Sequence, residues 1–203
     1  MWLCGLDEAG RGPLAGPLVA VGVVAPADLP IQARDSKQLT PRRRLQWAED
    51  LKTQGLHYAV EVISVEEINR YGIGWANREV FQRLIHTLDA DQYIVDGNLK
   101  LTDLGAKKNL TYCQVRADEV VPVVSAASIL AKTIRDQIMI DLHEYYPVYQ
   151  WHHNKGYGTK EHISALKTFG GSPHHRWQFV STVEAKTYAQ PLFLLESGEI
   201  TAG

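Results

Sequence analysis

Four acidic residues, Asp7, Glu8, Asp96 and Asp118, stand at or just beyond the ends of short apolar runs. Carboxylates gathered in one place repel one another and need a compensating cation. Hard divalent ions such as Mg²⁺ or Mn²⁺ accept all-oxygen ligation, and nothing nearby in the chain supplies the His and Cys pattern that zinc prefers. Two such ions ~3.5–4 Å apart activate a water and stabilise both the attacking and the leaving oxygen of a phosphodiester displacement. Gly10, Arg11 and Gly12 follow the first acidic pair directly, and their turn leaves backbone N–H groups open to a ligand. Any one of these acids alone reads more simply as a solvated turn, as in Asp96-Gly97-Asn98. Their recurrence at three separate strand ends is what points to a site.

These acids need a sheet to bring them together. Residues 2–7 and 17–25 read as two strands, and the Gly10, Gly12 and Pro13 connection predicts antiparallel pairing. Thr40 before Pro41 starts a helix to about residue 54, with Arg42, Arg43 and Arg44 in its first turn. His57 to Ile63 alternates as a strand, and Ser64 with Glu67 forms a capping box for a short helix. Gly72 and Gly74 interrupt it before a longer helix over about 75–88. Tyr93 to Asp96 and Thr111 to Val115 are further strands. After Pro122 a long helix runs over about 125–146, and residues 151–159 read as a basic, aromatic loop. A helix over about 160–169 follows, and a last one begins near Pro173 and fades before Pro191. Strands alternating with helices after an opening hairpin predict an α/β fold with a mixed sheet.

The 203 residues, 45% apolar and 22% charged, suit one soluble domain. A net charge of −2 gives no global attraction to a polyanion, although local basic patches and bound cations reverse the sign of a cleft. Cys4 and Cys113 sit in apolar segments and are expected as buried thiols in a reducing compartment. With no basic leader and no apolar run of ~20 residues, a cytoplasmic protein without a membrane span is expected. The pairs His152–His153 and His174–His175 are weaker ligand candidates, because adjacent residues on an irregular loop seldom point the same way.

The run from Gly5 to Gly16, Gly-Leu-Asp-Glu-Ala-Gly-Arg-Gly-Pro-Leu-Ala-Gly, resembles the signature of prokaryotic ribonuclease HII. The likeness continues in order through Asp35-Ser36-Lys37-Gln38-Leu39, Asp96-Gly97, Ser125 to Lys132, Arg135-Asp136, Lys155 to Thr159 and His175-Arg176. The resemblance implies a ribonuclease H-like fold with a mixed five-stranded sheet flanked by helices. It also implies a catalytic domain over 1–172, with a helix and tail over 173–203. Asp7, Glu8, Asp96 and Asp118 become the metal and catalytic set for Mn²⁺ or Mg²⁺, two ions in the active complex. Asp136 is the rival for the fourth place. The implied activity is hydrolysis of the RNA strand of RNA–DNA hybrids, and nicking of DNA duplexes 5′ to an embedded ribonucleotide to give 3′-hydroxyl and 5′-phosphate ends. A hybrid-binding protein that has lost catalysis is the alternative.

In this reading the backbone of Gly10, Arg11 and Gly12 reaches the 2′-hydroxyl that distinguishes RNA from DNA. Tyr157 packs on the neighbouring sugar. Lys37, Arg42 to Arg44, Lys132, Lys155, Lys160 and Arg176 are candidate phosphate contacts. Arg11 favours type HII over type HIII, which typically carries Thr there. The chain is expected to act as a monomer. The tail Gln190-Pro191-Leu192-Phe193-Leu194-Leu195 has the composition of a sliding-clamp ligand, with a strand or arm packed on the domain as the plainer reading.

Overall fold

The computed structural model describes residues 1–31, 40, 42, 43, 46, 47, 49, 50 and 56–182. Five strands form a single mixed sheet: β1 (Trp2–Ala9), β2 (Leu18–Pro26), β3 (His57–Ile63), β4 (Gln92–Asp96) and β5 (Thr111–Gln114). Their spatial order is β3-β2-β1-β4-β5, antiparallel across β3, β2 and β1 and parallel from β1 through β4 to β5. The helices are α1 (Val65–Tyr71), α2 (Ile73–Thr87), α3 (Ala117–Val120), α4 (Pro122–Tyr145), α5 (Trp151–Asn154), α6 (Lys160–Phe169) and α7 (Trp177–Val180).

Side chains alternate across the sheet, and each face has its own helix. Cys4, Leu6, Tyr93 and Val95 meet Ala76, Val80, Phe81 and Leu84 of α2 on one side. Val21, Val23 and Ala25 meet Val124, Ala127 and Leu130 of α4 on the other. Each large apolar side chain fully buried this way contributes about 1.5–3 kcal/mol. A β-carbon on Gly5 would lie 2.4 Å from the backbone carbon of Val123, so glycine is what allows α4 to cross β1 so closely. A third cluster, including Leu14, Met139, Trp151 and Leu166, supports the loops beyond the far end of α4.

Several boundaries differ from the sequence expectation. β1 continues to Ala9, because Asp7, Glu8 and Ala9 still pair with Val21, Ala20 and Val19. The capping box forms as expected: Glu67 N–H donates to Ser64 Oγ and Ser64 N–H to Glu67 Oε2. Only Gly72, at φ 83°, breaks the chain between α1 and α2, and Gly74 lies inside α2. α4 starts at Pro122, whose missing N–H is harmless in a first turn. Residues 151–154, expected as loop, form a single helical turn after a 3₁₀ turn at Pro147–Tyr149. Cys113 is exposed rather than buried, because β5 is an edge strand. The last described helix is the short α7, and residues 183–203, including the 190–195 tail, lie outside the described residues. Of the expected 41–54 helix, the described residues between 42 and 50 are helical.

Candidate active site

The parallel ladder of β1 and β4 pairs Leu6 with Val95, so Asp7 and Asp96 are the next positions along both strands. Alternation puts both carboxylates on the α4 side. Asp7 is 5% exposed, accepts the Glu8 N–H at 2.7 Å and is hydrogen-bonded by Ser128 of α4. Glu8 leaves β1 from the opposite face, where Arg11 Nη1 lies 3.5 Å from Glu8 Oε1. Asp96 Oδ1 accepts the Ala117 N–H at 2.7 Å, which fastens the end of β4 to the start of α3. The buried Asp118 is the next residue of that helix. It therefore stands in a helical turn rather than directly after a strand, and Arg116 in a left-handed conformation (φ 60°) redirects the chain into it. Asp136 pairs with Lys132 at 2.6 Å on α4.

Burial, then the charges of Glu8 and Asp96, push the Asp7 carboxyl up to about 8. Burial likewise raises Glu8 to about 7, with Asp96 adding to the rise and Arg11 opposing it. Acids held this far above their ordinary range are short of positive charge, and a hard divalent cation supplies it. Among the described residues, no three His, Cys, Asp or Glu side chains already close around one ion position. The donor set nevertheless fits Mg²⁺ or Mn²⁺, since all of its members are carboxylates and three of them feel one another's charge.

Beside the acids, the Gly-Arg-Gly turn is built on two buried guanidinium groups. Arg135 donates from Nε to the Pro17 carbonyl, from Nη2 to Ala15 and from Nη1 to Lys155, joining this turn to the 155–158 loop. Gly10 has φ 101°, and a β-carbon there would lie 2.1 Å from Arg135 Nε, so no other residue fits. Arg176, expected as a phosphate contact, is fully buried and donates to the carbonyls of Gly16 and Arg11. It shapes the loop from beneath and is in no position to meet a phosphate. Tyr157 is 42% exposed, and its Cε1 lies 3.9 Å from where a Gly12 β-carbon would be, leaving a notch between the loop and the ring. Lys132 Nζ and Arg135 lie 5.7 and 5.8 Å from the centre of that ring. The Lys155 ammonium turns back to the His152 carbonyl. Arg42, Arg43 and Lys160 are exposed, while Lys37 and Arg44 lie outside the described residues. Sequence reasoning missed the supporting role of Arg135, for which the only signal was its place beside Asp136.

The family model for ribonuclease HII matches residues 4–182, nearly the whole described chain. The chain belongs to the ribonuclease HII family. It is 43% identical over 180 residues to the ribonuclease HII of Orientia tsutsugamushi (strain Boryong), covering 87% of this chain and 85% of that one. The Thiobacillus denitrificans ribonuclease HII is 42% identical, covering 87% and 86%. Among solved structures, ribonuclease H2 from Pyrococcus horikoshii OT3 superposes with a TM-score of 0.75 at 27% identity, over 92% of this chain and 98% of that one. A ribonuclease HII from Archaeoglobus fulgidus, solved in complex with PCNA, gives 0.78 at 25% identity, over 93% and 98%. Bst-RNase HIII in complex with Mn²⁺, at 20% identity, shares the fold with a TM-score of 0.63 over 84% and 63%. Ribonuclease HII is a metal-dependent nuclease that hydrolyses RNA in RNA–DNA hybrids. No described helix is long and apolar enough to cross a membrane.

Proposed function

We propose that this member of the ribonuclease HII family also nicks DNA duplexes on the 5′ side of an embedded ribonucleotide, using two divalent ions and leaving 3′-hydroxyl and 5′-phosphate ends, and so serves to remove misincorporated ribonucleotides. The observation that carries this reading is the placement of the buried Asp7 and the half-buried Asp96 on neighbouring strands, with the Asp118 helix tied to Asp96 through the Ala117 N–H. Asp7, Glu8, Asp96 and Asp118 hold the ions. When bound, these supply the activation of a water and the neutralisation of charge at the phosphate. The raised Asp7 and Glu8 carboxyls are ready to give up their protons when positive charge arrives.

Recognition falls to the notch. Backbone groups of Gly10, Arg11 and Gly12 approach the minor groove without a side chain intervening and meet the 2′-hydroxyl, which both donates and accepts hydrogen bonds. The exposed Tyr157 ring across the notch packs on the adjoining sugar. Lys132 and the exposed Lys160, with Lys37 as a further candidate from the sequence, position the phosphates without reading sequence. The intact carboxylate set speaks against a hybrid-binding protein without catalysis, since a pure binder gains nothing from acids beside a polyphosphate.

Incubation with Mg²⁺ or Mn²⁺ and four substrates tests this reading: an RNA–DNA hybrid, a DNA duplex with one ribonucleotide, an all-DNA duplex and single-stranded RNA. Cleavage of the first two is expected, with a 5′ nick in the second; an uncut single-ribonucleotide duplex beside a cut hybrid overturns the repair role. A sliding clamp is the second proposed partner, through residues 190–195. It is supported by their Gln, Leu and Phe composition and by the PCNA complex of the Archaeoglobus fulgidus enzyme. Unchanged clamp binding after deletion of residues 190–203 removes it.

A further inference from the structure

Behind the Tyr157 loop lies a chain of buried hydrogen bonds that the metal site does not use. The Trp151 indole N–H donates to His162 Nε2 at 3.1 Å, and an indole nitrogen can only donate. His162 Nε2 is therefore an acceptor, and the neutral ring carries its proton on Nδ1, which lies 2.9 Å from the Tyr157 carbonyl oxygen. On the other side, the Ser172 N–H donates to His175 Nδ1 at 2.8 Å, which places the His175 proton on Nε2. That nitrogen faces His162 Nε2 at 3.0 Å, so its proton and the Trp151 N–H share the single lone pair of that nitrogen in a three-centre hydrogen bond. Two independent backbone and indole donors thus fix both tautomers, with every proton pointing toward Tyr157.

A proton added to either ring would set two N–H groups against each other. Burial accordingly holds both imidazoles below their ordinary range, His175 down to about 3, with the neighbouring His162 adding to its depression. The rings are fully buried, so the network cannot trade these bonds for water. At its end, the Tyr157 carbonyl also accepts the Thr159 N–H at 2.8 Å, and the Tyr157 N–H donates to the Asn154 carbonyl. The backbone is therefore held on both sides of the residue whose ring borders the notch.

We propose that His162, oriented by His175 and Trp151, is a positioning residue that fixes the Tyr157 carbonyl and so aims the Tyr157 ring at the sugar beside a single ribonucleotide. This rests on the proposed packing of Tyr157 against that sugar. The pair selects between substrates rather than performing chemistry: a continuous hybrid offers many registers, whereas an isolated ribonucleotide needs the ring in one place.

Two substitutions separate positioning from packing. His162→Asn keeps an N–H near the Nδ1 position for the Tyr157 carbonyl but removes the acceptor for Trp151 and His175. His162→Gln places its amide near the Nε2 position, keeping that acceptor, and loses the donor to Tyr157. The readouts are melting temperature and the ratio of kcat/KM on a single-ribonucleotide duplex to that on a long hybrid, with Tyr157→Ala as the reference. His162→Gln is expected to lower the ratio about tenfold, the loss equivalent to one buried hydrogen bond. His162→Asn is expected to keep it within about threefold while losing more in melting temperature. If both ratios simply follow melting temperature, or His162→Gln stays at the wild-type ratio while Tyr157→Ala falls, the relay is overturned and the Tyr157 contact stands. An unchanged ratio in Tyr157→Ala removes the sugar contact, and the proposal with it. Should either variant fail to fold, ¹⁵N NMR of the wild-type imidazoles decides. Protons on His162 Nδ1 and His175 Nε2 support the relay, and the opposite tautomers refute it.

Discussion

Asp7→Asn is expected to stabilise the metal-free protein at neutral pH while abolishing its response to divalent ions. In the folded chain burial and two neighbouring acids hold the Asp7 proton up to about 8, whereas its ordinary value is 3.8. Between these values the folded state keeps a proton that the unfolded state has released. Stability therefore falls as pH rises, by about 1.4 kcal/mol per pH unit for this one group. Glu8, raised to about 7, acts in the same direction. From pH ~5 to ~7 the Asp7 contribution comes to about 3 kcal/mol, or about 6–12 °C in melting temperature for a chain of this size. Asparagine keeps an oxygen for the Ser128 hydrogen bond but has no proton to lose, so its melting temperature should be much flatter over that range. Adding Mn²⁺ at ~100 times its Kd should restore about 2.7 kcal/mol to the wild type and nothing comparable to the variant. Thermal unfolding in EDTA and in Mn²⁺ across this pH range measures both effects. Superimposed wild-type and variant curves, flat with pH in EDTA, would refute the claim that Asp7 is a destabilised acid awaiting a cation.

Three further outcomes follow from the same geometry. Tyr157→Ala should reduce cleavage at single ribonucleotides at least tenfold while changing melting temperature by no more than about 2 °C, because the ring is 42% exposed; a large thermal loss would make it a core residue. Gly5→Ala should destabilise the fold by about 1–3 kcal/mol in urea unfolding, since its methyl group would meet the Val123 backbone rather than a movable side chain. Arg135→Lys should cost about 2–4 kcal/mol by the same measurement, because one ammonium on a shorter reach cannot serve the carbonyls of Ala15, Pro17 and Lys155 together.

Much of the architecture was legible from local chemistry. The 57–63 strand, the Ser64–Glu67 capping box and the 160–169 helix each have a signal within a few residues, and each appears where the signal stands. What was not legible depends on partners distant in sequence. Arg176 looked like a surface cation beside a histidine, and only the fold reveals that it lies beneath the Gly-Arg-Gly turn, 165 residues from the Arg11 carbonyl it serves. Cys113 sits in an apolar-looking run, yet among the described residues no strand covers the outer edge of β5. The α3 turn was hidden because Arg116, not glycine, takes up the left-handed conformation ahead of it. Among the candidate acids, the sequence pattern marked Asp7 and Asp96 by their position at strand ends, and pairing in the sheet explains why they are neighbours. It did not reveal that Glu8 leaves by the other face.

The most direct measurement compares binding and cleavage of one duplex, carrying a single ribonucleotide, by the wild type and Asp96→Asn in Mg²⁺ or Mn²⁺. The asparagine oxygen can still accept the Ala117 N–H, so the α3 turn and Asp118 keep their places. Loss of one carboxylate ligand should then lower the cleavage rate by about 10³-fold or more, while Kd for the duplex stays within about threefold of the wild type. Cleavage by Asp96→Asn at the wild-type rate would contradict the assignment of these carboxylates as the catalytic metal site.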